Sequence, residues 1–128
     1  MSRVLWKNQP DAHDYSAAAS YMSLVVDPDT VELIVDRLKA APIAHYAAKD
    51  ILRASGLEDL PADNVHVAKD IAKVRSGKAL SPVLLVRGDA IRGVPLQIAD
   101  GYHRVCASYR LDEDTDIPCR IVGLTEPN

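Results

Sequence analysis

Asp100, Gly101, His103 and Arg104 fall within five consecutive positions of "IADGYHRVCASYRL", residues 98–111. The apolar residues before Asp100 read as the end of a strand, and the apolar period after Gly101 reads as a helix. A helix starting near Tyr102 leaves its first amides without partners inside the helix, where the backbone dipole already favours an anion. Gly101 can take a positive φ and lets a ligand approach the backbone closely. Arg104 supplies a fork-shaped cationic donor, and His103 can donate a hydrogen bond or exchange a proton near neutral pH. Together these groups describe a site for an anion the size of phosphate. The dipole alone contributes ~0.3–1 kcal/mol, so useful affinity requires Arg104 and other contacts to converge. The alternative is that Asp100 neutralises Arg104 as a structural pair.

Other reactive residue types are less organised. Cys106 and Cys119 sit in periodic apolar segments, and His103 three positions before Cys106 has no second pair to complete a zinc site, so both read as core thiols. Asp112, Glu113, Asp114 and Asp116 lack the spacing and central glycine of a calcium loop and read as a solvated connection. Lys78 follows Gly77 without the rest of a phosphate-loop motif. His13, His45 and His66 have no metal-binding spacing and receive no function. Asp50 is a second candidate carboxylate, with a solvent-facing helix position as its alternative.

The elements that must position the glycine turn follow from period and punctuation. Residues 1–12 read as an arm or loop of little consequence. Tyr15, Ala18, Ala19, Met22 and Val26 share a helical face over about 14–25, with Asp11 or Asp14 as cap. Asp27, Pro28 and the stripe Val31, Ile34, Val35 and Leu38 mark a second helix, stopped by Pro42. Residues 43–46 suit either a short strand or a helix that would align His45, Lys49 and Arg53, and Gly56 closes the helix that follows. Asp63 or Asn64 caps a helix burying Val67, Ile71 and Val74, ended by Gly77 and basic through Lys69, Lys73, Arg75 and Lys78. The run 82–88 reads as a strand buried on both faces, 94–100 as its hairpin partner or close neighbour, and "IPCRIVG" as a last strand. The order predicts an α+β fold: a small mixed sheet with flanking helices, in one domain over 1–128, with a helical N-terminal extension at 1–42 and a core at 43–123.

Composition limits the function classes. A chain of 128 residues, 48% hydrophobic, can bury a single core. A net charge of -3 lacks the basic excess of a general nucleic-acid binder, and 5% aromatics without phenylalanine provide little to stack on single-stranded bases. No stretch approaches the ~20 apolar residues of a membrane span, and the N-terminus lacks a signal-peptide layout, so a cytoplasmic protein without membrane partners is expected.

The succession from "KVRSGKALSPVLLV" through "VPLQIADGYHRVCASYRL" to "DIPCRIV", about residues 66–123, resembles the ParB/sulfiredoxin superfamily. That resemblance implies a nucleotide-phosphate site at Gly101, Tyr102, His103 and Arg104, with Lys78 and Ser81 nearby, for ATP, ADP or CTP with Mg. Sulfiredoxins carry a reactive cysteine immediately before the H-R pair. Tyr102 stands there, so their reductase chemistry does not carry over. Partition-type ParB proteins use a more arginine-rich glycine motif and add helix-turn-helix and dimerisation domains, for which no room is expected after Ile121. The D-G-x-H-R form is closer to members that include a nucleotide-dependent kinase of free serine. By that resemblance Asp100 is the expected catalytic base or Mg ligand and His103 the expected proton shuttle, for phosphoryl transfer or nucleotide hydrolysis. Two other readings stand beside it. One is a non-enzymatic interaction module, dimeric through the Ala-rich face of "SAAASYMSLVV", and the other a DNA-associated nuclease or adaptor using the basic helix at 69–78.

Overall fold

A computed structural model describes residues 3–124, so residues 1, 2 and 125–128, the outermost ends of the expected single domain, lie outside the described residues. The elements run α1 (Ala12–Met22), α2 (Pro28–Ala40), β1 (Ala44–Ala47), α3 (Ala48–Ser55), α4 (Val65–Arg75), β2 (Val83–Val86), β3 (Gln97–Asp100), α5 (Tyr102–Leu111) and β4 (Asp116–Val122). The fold is α+β: five helices among the described residues flank a four-stranded mixed sheet of order β1-β4-β2-β3. β2 pairs antiparallel with β3 and parallel with β4, and β1 joins the other edge of β4 antiparallel.

The expected doubly buried strand is present in β2, and its alternation divides the core in two. Val83 and Leu85 point into one cluster with Ile51, Val67, Val105 and Ile117, beneath α3, α4 and α5. Leu84 and Val86 point the other way, onto Ala18, Met22, Ile34 and Leu38 of α1 and α2. The N-terminal helices thus form the layer covering the second sheet face. A strand with helices on both sides needs apolar residues at every position, which explains its unbroken apolar run.

Local chemistry sets the boundaries. The Asp27 carboxylate accepts the Thr30 amide at 2.8 Å at the start of α2, and Asn64 accepts the amides of His66 and Val67 at 3.0 and 3.2 Å to open α4. α1 stops at Met22, short of the expected residue 25, and leaves Leu24 87% exposed. Of the two alternatives for residues 43–46 the strand is the one present, so the stripe of His45, Lys49 and Arg53 that a helix would align does not form. The His45 ring meets Asp116 at 2.7 Å, while Lys49 pairs with Asp114 at 3.2 Å and ties the acidic connection to α3.

Residues 3–11 have more structure than the sequence suggests. The Leu80 amide donates to the Leu5 carbonyl and the Lys7 amide to the Leu80 carbonyl, both at 2.8 Å, so the arm is docked beside the lead into β2. Among the described residues, no helix is long and apolar enough to cross a membrane.

Candidate functional site

The antiparallel pairing of β2 with β3 brings the residues before β2 and those after β3 to one end of the sheet. Ser81, Asp100 and the start of α5 therefore meet there, and α1, α4, the N-terminal arm at Lys7 and Asp11, and the lead into β2 supply the remaining walls of a polar cleft of about 310 Å³. Gly101 makes the turn with φ +107, as its position between strand and helix requires. A Cβ at this position would lie 2.5 Å from Val83 Cγ1 and 2.8 Å from Val83 Cβ, so the turn is also pressed against the core.

The centre of the cleft is a charge network only partly visible in the sequence. Arg104 donates to the Asp100 carboxylate, to the Ser81 hydroxyl and, at 2.9 Å, to the Ser81 carbonyl, with Asp14 Oδ2 3.6 Å away. The Ser81 hydroxyl donates to Asp14 Oδ2 at 2.7 Å, and the Asp11 amide donates to the same oxygen at 2.9 Å. Asp14, on the first turn of α1, is only 4% exposed. A guanidinium thus bridges two carboxylates contributed by opposite ends of the chain. This explains why an arginine stands at a helix N-terminus, where the dipole opposes it: one carboxylate, a hydroxyl and a carbonyl receive its protons, and a second carboxylate lies within ion-pair reach. The Asp100 to Arg104 ion pair considered from the sequence is present, and Ser81 serves as its hydrogen-bonded bracket.

The two carboxylates titrate in opposite directions. Burial works to raise the Asp14 pKa, but the Ser81 hydroxyl, the Arg104 charge and the Asp11 amide together hold it below its ordinary value. Burial pushes Asp100 up to about 6, against the opposing pull of Arg104 and with the negative charge of Asp14 adding to the rise. Between pH 3.8 and about 6 the folded protein therefore holds a proton on Asp100 that the unfolded chain releases, and this group's contribution to stability falls as pH rises through that window. Asp100→Asn is expected to flatten the stability change between pH 4 and pH 6.5, measured by urea unfolding at each pH; an unchanged slope would exclude Asp100 as its source.

Around this centre stand residues able to contact a ligand. His103 lines the cleft, its ring centroid 4.6 Å from that of His66 on α4. Burial lowers the His103 pKa, and His66 adds to that while Asp70 opposes it. Burial raises the Asp70 pKa, against Lys73 and Arg104. Lys73 and Lys7 bring ammonium groups to the rim, with Lys7 Nζ 3.0 Å from both Asp11 oxygens. The Tyr102 hydroxyl donates to the Glu58 carbonyl at 2.6 Å, and its ring centroid lies 5.6 Å from that of His103.

Of the residues singled out from the sequence, Asp100, Gly101, Tyr102, His103, Arg104 and Ser81 come together here, while Lys78 is exposed and does not line the cleft. Asp50 lies elsewhere, on a second cavity. His13 and His66, to which the sequence reading gave no function, belong to this neighbourhood: His13 Nε2 is 3.5 Å from Asp14 Oδ1. Asp14 was legible only as a helix cap, and Asp11, Asp70 and Lys73 also went unassigned to a site. The buried i, i+4 partner Ala18 gave the one hint that Asp14 lies on the inward face of its helix.

Asp11, His13 and Asp14 each offer one ligand atom, all within 4.8 Å of one another. The mixed carboxylate and imidazole set is compatible with Mg, Mn or Zn, and a cation there would have to displace Lys7 from Asp11. Asp100 is less suited to that task than expected, because Arg104 engages its carboxylate. Cys106 and Cys119 are free and buried, and burial pushes both thiols up, Cys119 to about 12, so both remain protonated core groups. Comparisons of the chain with protein-family models, with curated proteins and with solved structures found no match.

Proposed function

We propose that the polar cleft binds a nucleotide or similar phosphate-bearing ligand together with a divalent cation, in a domain of the ParB/sulfiredoxin-like type. The observation that carries this reading is the convergence in one cleft of the Gly101 turn, the opening of α5, His103 and Lys73 with the carboxylates of Asp11, Asp14, Asp70 and Asp100. The amides of Tyr102, His103 and Arg104 have no acceptor within α5 and face an anion favourably. Lys73 and His103 add donors from two helices. Four carboxylates against Lys7, Lys73 and Arg104 make the cleft unattractive to bare phosphate, and a divalent cation at Asp11 and Asp14 offsets the repulsion.

The cation, when bound, neutralises phosphate charge. The chain's own groups do the rest: Arg104 fixes the two central carboxylates, His103 orients a phosphoryl oxygen, and Asp100 takes a proton from an acceptor hydroxyl or water. A carboxyl pushed up to about 6 is a stronger base than an ordinary one and is still mostly ionised at neutral pH. Phosphoryl transfer or hydrolysis needs little more from the protein than this positioning and charge control.

Thermal unfolding against ATP, ADP, CTP and GTP, each with and without magnesium, tests the reading. A ligand at about a hundred times its dissociation constant stabilises the fold by ~2.7 kcal/mol if it binds the native state alone. One nucleotide should stabilise the wild type in a magnesium-dependent way, with the shift lost in His103→Ala and Lys73→Ala. If none stabilises the wild type, the phosphate reading fails. The exposed Tyr21, Leu24, Val25 and Leu33 then favour the interaction-module alternative, which sedimentation would register as a concentration-dependent dimer.

A further inference from the structure

Asp11, Asp14, Asp70 and Asp100 line the polar cleft, and all but one of them receive hydrogen bonds. Lys7 donates to both Asp11 oxygens at 3.0 Å, the Ser81 hydroxyl and the Asp11 amide donate to Asp14 at 2.7 and 2.9 Å, and Arg104 donates to Asp100. Asp70 is the exception. Its side chain is 13% exposed, and among the described residues no hydrogen bond reaches it. Its ion-pair partner is Lys73 on the next turn of α4, with Nζ 3.9 Å away on a side chain that is 44% exposed. Burial raises the Asp70 pKa, as it does for a carboxylate that has given up water without gaining a donor. Buried polar groups are normally hydrogen-bonded, so a carboxylate lacking a donor in the wall of a cleft is suited to a partner that arrives with the ligand.

The helix narrows the choice of partner. His66, Asp70 and Lys73 stand at i, i+4 and i+7 of α4 and share one face over an axial length of about 10 Å. Lys73 lines the cleft together with the Gly101 turn, where the reading above puts phosphate. At the other end of the row the His66 ring lies 4.6 Å from the His103 ring, and Asp70 falls between the two ends. A nucleotide carries phosphate, sugar and base in that order, so with its phosphates at Lys73 the sugar is the part that comes level with Asp70. We infer that Asp70 accepts hydrogen bonds from the ribose hydroxyls of the ligand, which makes the cleft selective for ribonucleotides. A carboxylate has two acceptor oxygens for the two donors of a vicinal diol, and an acidic side chain holds ribose in the same way in dinucleotide sites. An ammonium drawn to phosphate leaves its carboxylate neighbour, so binding itself frees Asp70 for the sugar. The inference rests on the phosphate reading of the cleft.

Calorimetric titration of the full chain in the presence of magnesium tests it with three kinds of probe: tripolyphosphate, the ribonucleotides ATP, CTP and GTP, and their 2′,3′-dideoxy counterparts. At least one ribonucleotide should bind about ten- to hundredfold more tightly than its dideoxy counterpart, the scale of a hydrogen bond to a charged group. Asp70→Asn should remove most of that preference and bind tripolyphosphate no more weakly than the wild type, because it takes a negative charge out of the cleft. Asp70→Ala gives the same readout if the amide does not fold. Nucleotides that bind the wild type without regard to the sugar hydroxyls, a folded Asp70 variant that keeps the preference, or tripolyphosphate binding alone would overturn the inference and leave the phosphate reading standing. If neither tripolyphosphate nor any nucleotide binds, the phosphate reading falls and the inference falls with it.

Discussion

Arg104→Leu is expected to destabilise the protein by about 3–5 kcal/mol at pH 8, the usual cost of removing one partner from a buried ion pair. The leucine leaves Asp14 and Asp100 with side chains 6% and 17% exposed, removing the donor that Ser81 and Asp100 share and the charge that pairs with both carboxylates. The penalty should shrink as pH falls. Without the guanidinium both carboxylates titrate upward, so acid neutralises in the variant what the arginine neutralises in the wild type. In the wild type, Asp14 runs the other way: its depressed pKa contributes stability that is present above 3.8 and lost as pH falls through the folded value. Urea unfolding of both proteins at pH 8 and pH 5 measures the difference directly. A penalty under about 1 kcal/mol at pH 8, or one of equal size at both pH values, would mean that the triad is not the electrostatic unit described here.

Gly101→Ala should cost about 2–4 kcal/mol, combining the strain of a positive φ with overpacking against a rigid neighbour. The two nearest obstructing atoms belong to Val83, a fully buried β-branched residue in an interior strand, which cannot swing aside as a surface side chain would, and the third is a guanidinium nitrogen of Arg104 at 2.9 Å. Any β-branched residue at 101 should fare worse than alanine. Gly101→Val therefore tests stability before binding, and the cleft is better probed at His103 and Lys73. Denaturant midpoints of wild type and Gly101→Ala settle the matter. A difference below about 1 kcal/mol would show that the turn relaxes away from Val83.

These two expectations share one geometrical cause. Behind the cleft, Val83 of the buried core presses on the Gly101 turn, and Arg104 is tied to Ser81 and Asp100, so residues that would face a ligand are held by residues that keep the fold. Arg104 and Gly101 each serve both purposes, whereas His103 and Lys73 face the cleft with less of the core behind them.

Read without a structure, the chain already yields its local elements, because each is specified by neighbours in sequence. Asp27 and Pro28 start a helix through their own side-chain chemistry, Gly56 ends one, and the unbroken run from Val83 to Val86 announces a strand covered on both faces. The glycine turn and its candidate residues Asp100 to Arg104 were visible for the same reason. What tertiary structure alone decided is the partnership of distant residues. Nothing local in "DAHDYS" indicates that Asp14 will lie against Ser81 and Arg104, because that contact arises only when α1 packs over β3. Nor does period tell whether Ile43 to Tyr46 is helix or strand; pairing with the edge of β4 settles it. The second cavity likewise exists only where α3, the sheet and the β2–β3 connection close on one another. Elements follow from interactions over a few residues, while sites are made by the packing of elements far apart in the chain.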